Sequence, residues 1–312
     1  MSRTLMAIGE CMMELVEQSD DLLQRSYAGD TYNALVYAKR SFPEHDAQFF
    51  SAVGQDNVSS AMVSRWVNEG INIETVQRSA DHTIGIYSIA VDAEGERSFS
   101  YWRKDSAATK MMRLRSETAL YELCKDADLI FFSGISLGIL NEIDKAKLLS
   151  LLSKLKSEGK VIAFDPNYRP SMFKHVDDAV KWFTKAYQVA TIALPGLDEH
   201  ELLFRHRNKE EVVNFCFANG VNEVIVKAGK LGTYGYYEGE EVCVPFSPAP
   251  KQIDTTAAGD SFAGVYLASR LSGVNVKDAI HNAADVAKIV VQHKGAILSA
   301  ALLKDCISKL VR

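Results

Sequence analysis

What the sequence lacks narrows its chemistry before any motif is read. Its five cysteines, Cys11, Cys124, Cys216, Cys243 and Cys306, form no C-x-x-C pair and follow no regular spacing. That pattern excludes a clustered zinc cage and a disulfide framework, and it predicts reduced, mostly buried thiols. No apolar run is long enough to cross a bilayer. The stretch MSRTLMAIGECMMELVEQ reaches acidic residues after a short apolar segment and shows no secretory cleavage pattern, so the expected location is the cytoplasm. An excess of positive charge is missing too: 35 Lys and Arg stand against 40 Asp and Glu, a formal net charge of -5. Such a balance offers no field for a nucleic-acid backbone, although a few arginines in one pocket suffice for a small anion.

What is present is the material of one large domain. Of 312 residues, 47% are hydrophobic and 24% charged, enough to bury a sizeable core. No repeat, low-complexity tract or linker divides the chain. Short apolar runs recur at LMAIG (5–9), AQFFSAVG (47–54), ADLIFFSG (127–134), KVIAFDPN (160–167), TIALP (191–195) and EVIVKAG (223–229). Most are followed by helical periodicity, as in NEIDKAKLLSLLSKLKSEG (141–159), with Gly159 placed as a C-cap. Strand then helix, repeated, predicts an α/β fold with a parallel sheet covered on both faces, whose ligands bind beyond the C-terminal strand ends.

One segment breaks that rhythm. GIYSIAV (85–91), DAEGE (92–96) and RSFSYWR (97–103) read as two strands around a tight turn. Alternation puts Phe99, Tyr101 and Arg103 on one face and Ser98, Ser100 and Trp102 on the other. The hairpin is either a flap over the strand ends or an ordinary sheet edge. GTYGYYEGEEVCVPF (232–246) is again β-like, with EGEE as the expected turn, and helices are expected over 257–272, 276–293 and 299–311.

The stretch DTTAAGDSF (254–262) carries the chemistry. The first N–H groups of a helix lack intrahelical partners and sit at the positive end of its dipole, so they hold anions. Ala257, Ala258 and Gly259 have no bulk to obstruct a phosphate approaching them. Asp260, in the first turn, is placed to accept a proton from a hydroxyl attacking that phosphate. The plainer reading is also open, because an aspartate there satisfies the helix dipole without doing any chemistry.

DTTAAGDSFAGVYLA resembles the C-terminal signature of the ribokinase-like, or PfkB, family of sugar kinases, and GECMMELV resembles that family's first strand. GDTYNALVYAKR (29–40), SYWRKDSAA (100–108), FFSGISLGIL (131–140) and FDPNYRP (164–170) resemble its sugar-acid branch, so the resemblance runs over nearly the whole chain. It implies a three-layer α/β/α ribokinase-like domain over residues 1–312, with a mostly parallel central sheet and a small β-sheet lid inserted at about 11–29 and 83–106. It further implies ATP as donor, Mg2+, and transfer to the terminal hydroxyl of a keto-deoxy sugar acid. Asp260 matches the family's base, and Ala257, Ala258 and Gly259 match its anion hole.

Gly29, Asp30 and Asn33 match the family's substrate-gripping GD-x-x-N pattern, although locally they read equally as a helix start with Asp30 as cap. Arg103 and Arg169 match the sugar-acid branch, and a planar guanidinium suits a carboxylate where a neutral sugar needs no cation. Tyr87 and Tyr101 would add hydroxyls and aromatic walls. VKAGKLGTYG (226–235) resembles the strand and turn along the nucleotide phosphates, which nominates Lys227, Gly229 and Gly232. It is neither G-x-x-x-x-G-K-[ST] nor G-x-G-x-x-G, and taken alone it is a glycine-rich turn. Asn282 resembles an adenine-side residue.

There is one departure. LPGLDEHELL (194–203) keeps Glu199 but has Gly196 where many members carry an asparagine, so Glu199 is expected to act on Mg2+ through water. Asp254 is a candidate for shaping a loop around a monovalent cation such as K+. Lid hairpins in the family often pair between subunits, so the apolar SFSYW predicts a homodimer or higher homo-oligomer. Two other readings stay open: a kinase for a neutral sugar such as fructose or ribose, and a non-catalytic sugar-acid sensor.

Overall fold

The apolar runs align as parallel strands because each is buried on both faces. The computed structural model describes residues 2–19, 21–91 and 97–312. Its main sheet has eight strands in the order Glu240–Val244, Thr233–Tyr237, Glu223–Lys227, Ile192–Ala193, Val161–Asp165, Leu129–Ser133, Thr4–Ile8 and Asp46–Phe50. The last six are mutually parallel, and the first two attach as an antiparallel hairpin. The turn of that hairpin is Glu238–Gly239 alone, both with positive φ, and Glu240 and Glu241 already belong to the strand. The expected EGEE turn is therefore shorter by two residues, because a two-residue turn with positive φ matches the twist of paired strands.

Alternation along the strands sends side chains into two separate cores. Leu5, Ala7, Leu129, Phe131 and Ala163 face the helices Asp30–Ser41, Ala258–Leu271 and Val276–Val290. Met6, Ile8, Ile130, Phe132 and Ile162 face the helices Glu142–Ser157 and Val176–Val189. Three layers result, as a parallel sheet with crossover helices requires. The expected C-terminal helices are present as Ala258–Leu271, Val276–Val290 and Ala300–Ile307.

The second sheet has the order Leu22–Ala28, Met12–Ser19, Ile86–Val91 and Arg97–Trp102. The hairpin thus belongs to a sheet of its own, not to an edge of the large one; its turn, 92–96, lies outside the described residues. One face of this small sheet, carrying Met12, Val16, Ala28, Tyr87 and Ile89, packs on Ala257 and Ala296. Cys11, Cys124 and Cys216 are buried, whereas Cys243, on the outermost strand of the large sheet, is exposed. Among the described residues no helix is long and apolar enough to cross a membrane.

Two helices come nearly into backbone contact at Gly264. A Cβ added there would stand 1.9 Å from the carbonyl oxygen of Ala34 in the helix Asp30–Ser41. At Gly259, one turn earlier, an added Cβ meets nothing within 4 Å. Replacing glycine by alanine inside a helix ordinarily stabilises it. Here Gly264→Ala is expected to destabilise the fold by about 1–3 kcal/mol through overpacking, while Gly259→Ala leaves stability unchanged or slightly raised. Urea denaturation of the two variants checks this, and equal midpoints would refute the close-contact argument.

Candidate active site

The helix Ala258–Leu271 opens abruptly. Ala257, its N-cap, is left-handed with φ 60, a conformation that costs a non-glycine residue on the order of 1–2 kcal/mol and gathers at functional sites. Ala258 N–H donates to the Thr255 carbonyl at 3.2 Å, and Ser261 N–H donates to that of Ala257 at 2.8 Å. The N–H groups of Ala257, Gly259 and Asp260 meet no acceptor among the described residues. Three free donors at the positive end of a helix, beside the open space at Gly259, form a cradle for an anion.

Asp260 stands at its rim. Asn33 Nδ2 donates to Asp260 Oδ2 at 2.8 Å, which ties the first helix of the chain to this one. Burial pushes the Asp260 carboxyl up to about 7, the Asp30 carboxylate adds to the rise, and the Asn33 hydrogen bond and Arg169 oppose it. Asp30 is the first residue of its helix and not its cap. Gly29 holds the cap position with extended backbone and no side-chain bond, pressed so tightly on the chain beside it that an added Cβ would lie 2.0 Å from the Glu10 carbonyl. Asp30 Oδ2 accepts from Asn167 Nδ2 at 3.0 Å, while its Oδ1 is buried without a partner among the described residues.

The two arginines differ. Arg103 Nε and Nη2 both donate to Glu10 Oε2, at 2.8 and 2.5 Å, and Ser106 Oγ donates to Glu10 Oε1. Arg169 is exposed, donates only to the Tyr168 carbonyl at 3.1 Å and has no acidic partner among the described residues. The Tyr87 hydroxyl is engaged, donating to Glu14 Oε2, while Glu14 Oε1 accepts from Ser26 Oγ. The Tyr87 ring stacks on Tyr101 with centroids 5.8 Å apart, and Tyr101 is exposed.

Next to this group lies a buried charge cluster. Lys227 Nζ donates to both oxygens of Asp165, at 3.0 and 2.8 Å. Burial alone would lower the Lys227 pKa, but Asp165 and Glu199 outweigh it and hold the ammonium above its ordinary range. Glu199 accepts from Tyr168 N–H at 2.8 Å and from Gly196 N–H at 3.0 Å. Burial raises its carboxyl pKa against the pull of Lys227. A Cβ at position 196 would come within 2.8 Å of Glu199 Oε2, so in this chain the carboxylate fills the space that a larger residue would need. Among the described residues no three acidic, His or Cys side chains converge as a metal cage.

The remaining expected residues lie in turns or clasps. Gly229 and Gly232, with φ 56 and 102, shape the turn after the strand Glu223–Lys227. Asn282 is buried and fully used: it donates to the Val311 carbonyl and to Ser269 Oγ, and it accepts from Val311 N–H. Asp254 accepts from Thr256 N–H and Gly295 N–H. Glu10, Asp165 and Asn167 were not singled out from the sequence, yet all three sit where a parallel strand ends, the location at which such sheets bind ligands.

Residues 2–302 match the profile of the pfkB family carbohydrate kinases. The 2-dehydro-3-deoxygluconokinase of Dickeya dadantii (strain 3937) is 35% identical over 302 residues, covering 95% of this chain and 97% of that one. That of Escherichia coli (strain K12) is 36% identical over 303 residues, covering 96% and 98%. Among solved structures, an Escherichia coli chain in complex with ATP and Mg2+ superposes with a TM-score of 0.83 at 23% identity, over 99% of this chain and 100% of that one.

The electrostatics predict a titration. Asp260, followed by carbon-detected NMR of its carboxyl, is expected to titrate near 7. Asp30→Asn removes a like charge and should move the midpoint to lower pH; Asn33→Ala removes a donor to the charged form and should move it higher. A midpoint near the ordinary carboxylate value, unmoved by either change, would refute the coupling.

Proposed function

This chain belongs to the PfkB family of carbohydrate kinases, and we propose that it transfers the γ-phosphoryl group of ATP to the terminal hydroxyl of 2-keto-3-deoxygluconate. The observation that carries the chemistry is Asp260, with a proton affinity near neutrality, beside three helix N–H donors that meet no acceptor among the described residues. The substrate reading is supported by the names of relatives that match over nearly their full length.

In this reading Asp30 and Asn33 grip hydroxyls of the acceptor and set its terminal oxygen against Asp260. Asp260 takes the hydroxyl proton as that oxygen attacks the γ-phosphorus, and ADP leaves with the electron pair of the broken bond. The N–H groups of Ala257, Gly259 and Asp260 receive the charge that builds on the transferred phosphoryl, the term on which phosphoryl transfer chiefly depends. A base whose pKa lies near the working pH combines ionisation with proton affinity.

Mg2+ bound with the nucleotide would neutralise phosphate charge. The chain fits such an ion through water: Glu199 keeps a lone pair on each oxygen beyond its two backbone bonds, and Mg2+ retains several waters in kinase sites. Lys227, Gly229 and Gly232 stand on the nucleotide side. Asp254 braces the loop assigned to a monovalent cation such as K+. The small sheet acts as a lid, and Arg169, Arg103 and Tyr101 face the acid. Asn282, buried in the middle of the helix Val276–Val290 with its side-chain amide bonded within the protein, offers an adenine no free polar group.

One observation favours a second reading, a neutral sugar as acceptor: the charge of Arg103 is already compensated by Glu10. Release of ADP with Mg2+-ATP, compared among 2-keto-3-deoxygluconate, gluconate, fructose and ribose, separates the two. Strong preference for the keto-deoxy acid is expected; activity confined to fructose or ribose would replace the reading, and binding without ADP release would make the protein a sensor. Asp260→Asn is expected to lower kcat by roughly a hundred- to ten-thousandfold with little change in substrate affinity. Near-normal turnover would remove Asp260 from its role.

Exposed Phe99, Tyr101 and Trp102 on one edge strand of the lid, and Leu22 and Leu23 on the other, support pairing of lids in a homodimer. Sedimentation equilibrium should give a dimer that Trp102→Glu converts to monomer; a monomeric wild type would refute it.

A further inference from the structure

Glu10 is the most completely enclosed acid near the acceptor site that the chemistry above does not use. Its side chain has no solvent exposure, while that of its partner Arg103 has 16%. Both bonds from Arg103 leave its Nε and Nη2 and converge on a single oxygen, Glu10 Oε2. The other oxygen is held by Ser106 Oγ, and an added Cβ at Gly85 would come within 2.7 Å of it. The carboxylate therefore cannot turn, and it grips the guanidinium by one edge. Nη1 meets no acceptor among the described residues. A guanidinium has two edges able to bind a carboxylate in parallel, so engagement of the Nε and Nη2 edge leaves the Nη1 and Nη2 edge for a ligand.

The backbone of the same residue abuts Gly29, where the helix bearing Asp30 and Asn33 begins. One residue thus fixes both the groups that grip hydroxyls and the cation that faces the acid end.

We propose that Glu10 is a specificity-determining positioning residue: it aims the free edge of Arg103 at the carboxylate of an acidic acceptor. The proposal rests on the acid-acceptor reading above. Glu10 touches no reacting atom, and its effect passes through Arg103. Glutamine at this position keeps the volume and one oxygen, with its amide turned to Ser106, and therefore keeps the aim; alanine loses it. If Glu10 served only to neutralise Arg103, glutamine and alanine would act alike, and freeing the guanidinium would tighten the binding of an acid.

The test is steady-state kinetics of the full chain with 2-keto-3-deoxygluconate and with ribose as a neutral acceptor. Glu10→Ala is expected to raise KM for the acid by about tenfold or more, the worth of one charged hydrogen bond, with kcat, the KM for ATP and any activity on ribose little changed. Glu10→Gln should restore KM to within about threefold of wild type, and Glu10→Ala in an Arg103→Ala background should add nothing, since the two act as one unit. Should Glu10→Ala fold poorly, Ser106→Ala releases Oε1 alone and is expected to raise KM by a few-fold. An unchanged or lowered KM for the acid in Glu10→Ala and Ser106→Ala, a Glu10→Gln that behaves like Glu10→Ala, an equal rise for ribose, or additive effects with Arg103→Ala would overturn the proposal. A wild type inactive on the acid but active on ribose would overturn the acceptor reading itself, and the proposal with it.

Discussion

The site depends on how closely two helices from opposite ends of the chain approach each other. The missing side chain at Gly264 lets the helix Ala258–Leu271 rest on the carbonyl of Ala34 in the helix Asp30–Ser41. Any Cβ there would force the pair apart, and the Asn33–Asp260 hydrogen bond, spanning 227 residues of sequence, would be drawn beyond its range. In the proposed reading, this near backbone contact is what lets Asp30 and Asn33 face the same small substrate as Asp260. The distance between Asn33 and Asp260 is therefore set in the packed interior, not at the mouth of the cleft.

The second organising feature is the accumulation of acids. Asp30, Asp165, Glu199 and Asp260 all lie near the strand ends, and the shifts of Asp260 and Glu199 both carry a contribution from Asp165. Buried carboxylates are tolerated when paired or hydrogen-bonded. Asp165 is paired with Lys227, and Glu199 is bound by two backbone N–H groups. Asp260 has one amide donor and a like-charged neighbour, and burial raises its proton affinity towards neutrality. The same contrast of environments separates structural acids from a working base wherever several share one cleft.

Much of this was legible in the sequence. Continuous apolar runs such as ADLIFFSG (127–134) and EVIVKAG (223–229) mark two-faced burial, and both became interior strands of the large sheet, with two further parallel strands between them. DTTAAGDSF was readable as a helix start, and the helix Ala258–Leu271 begins within it, with Asp260 in its first turn. Glu10 was not, because its meaning comes from Arg103 and Ser106, more than ninety positions away, and no local pattern marks a partner at that distance. Asp30 shows the reverse error: next to a helix start it looks like a cap, yet the tight crossing over Glu10 gives that position to Gly29. Asn282 resembled a ligand contact through its surroundings in sequence, while its burial against Val311 is a matter of tertiary packing.

The elevated proton affinity of Asp260 also bears on the durability of the folded chain. A carboxyl that binds its proton more tightly folded than unfolded favours the folded state only while protonated. That favour is intact below its ordinary value of 3.8 and is lost as pH rises through about 7. The ionised form is thus the form that weakens the fold, and in the proposed reading turnover at neutral pH draws on the state in which this one side chain least supports folding.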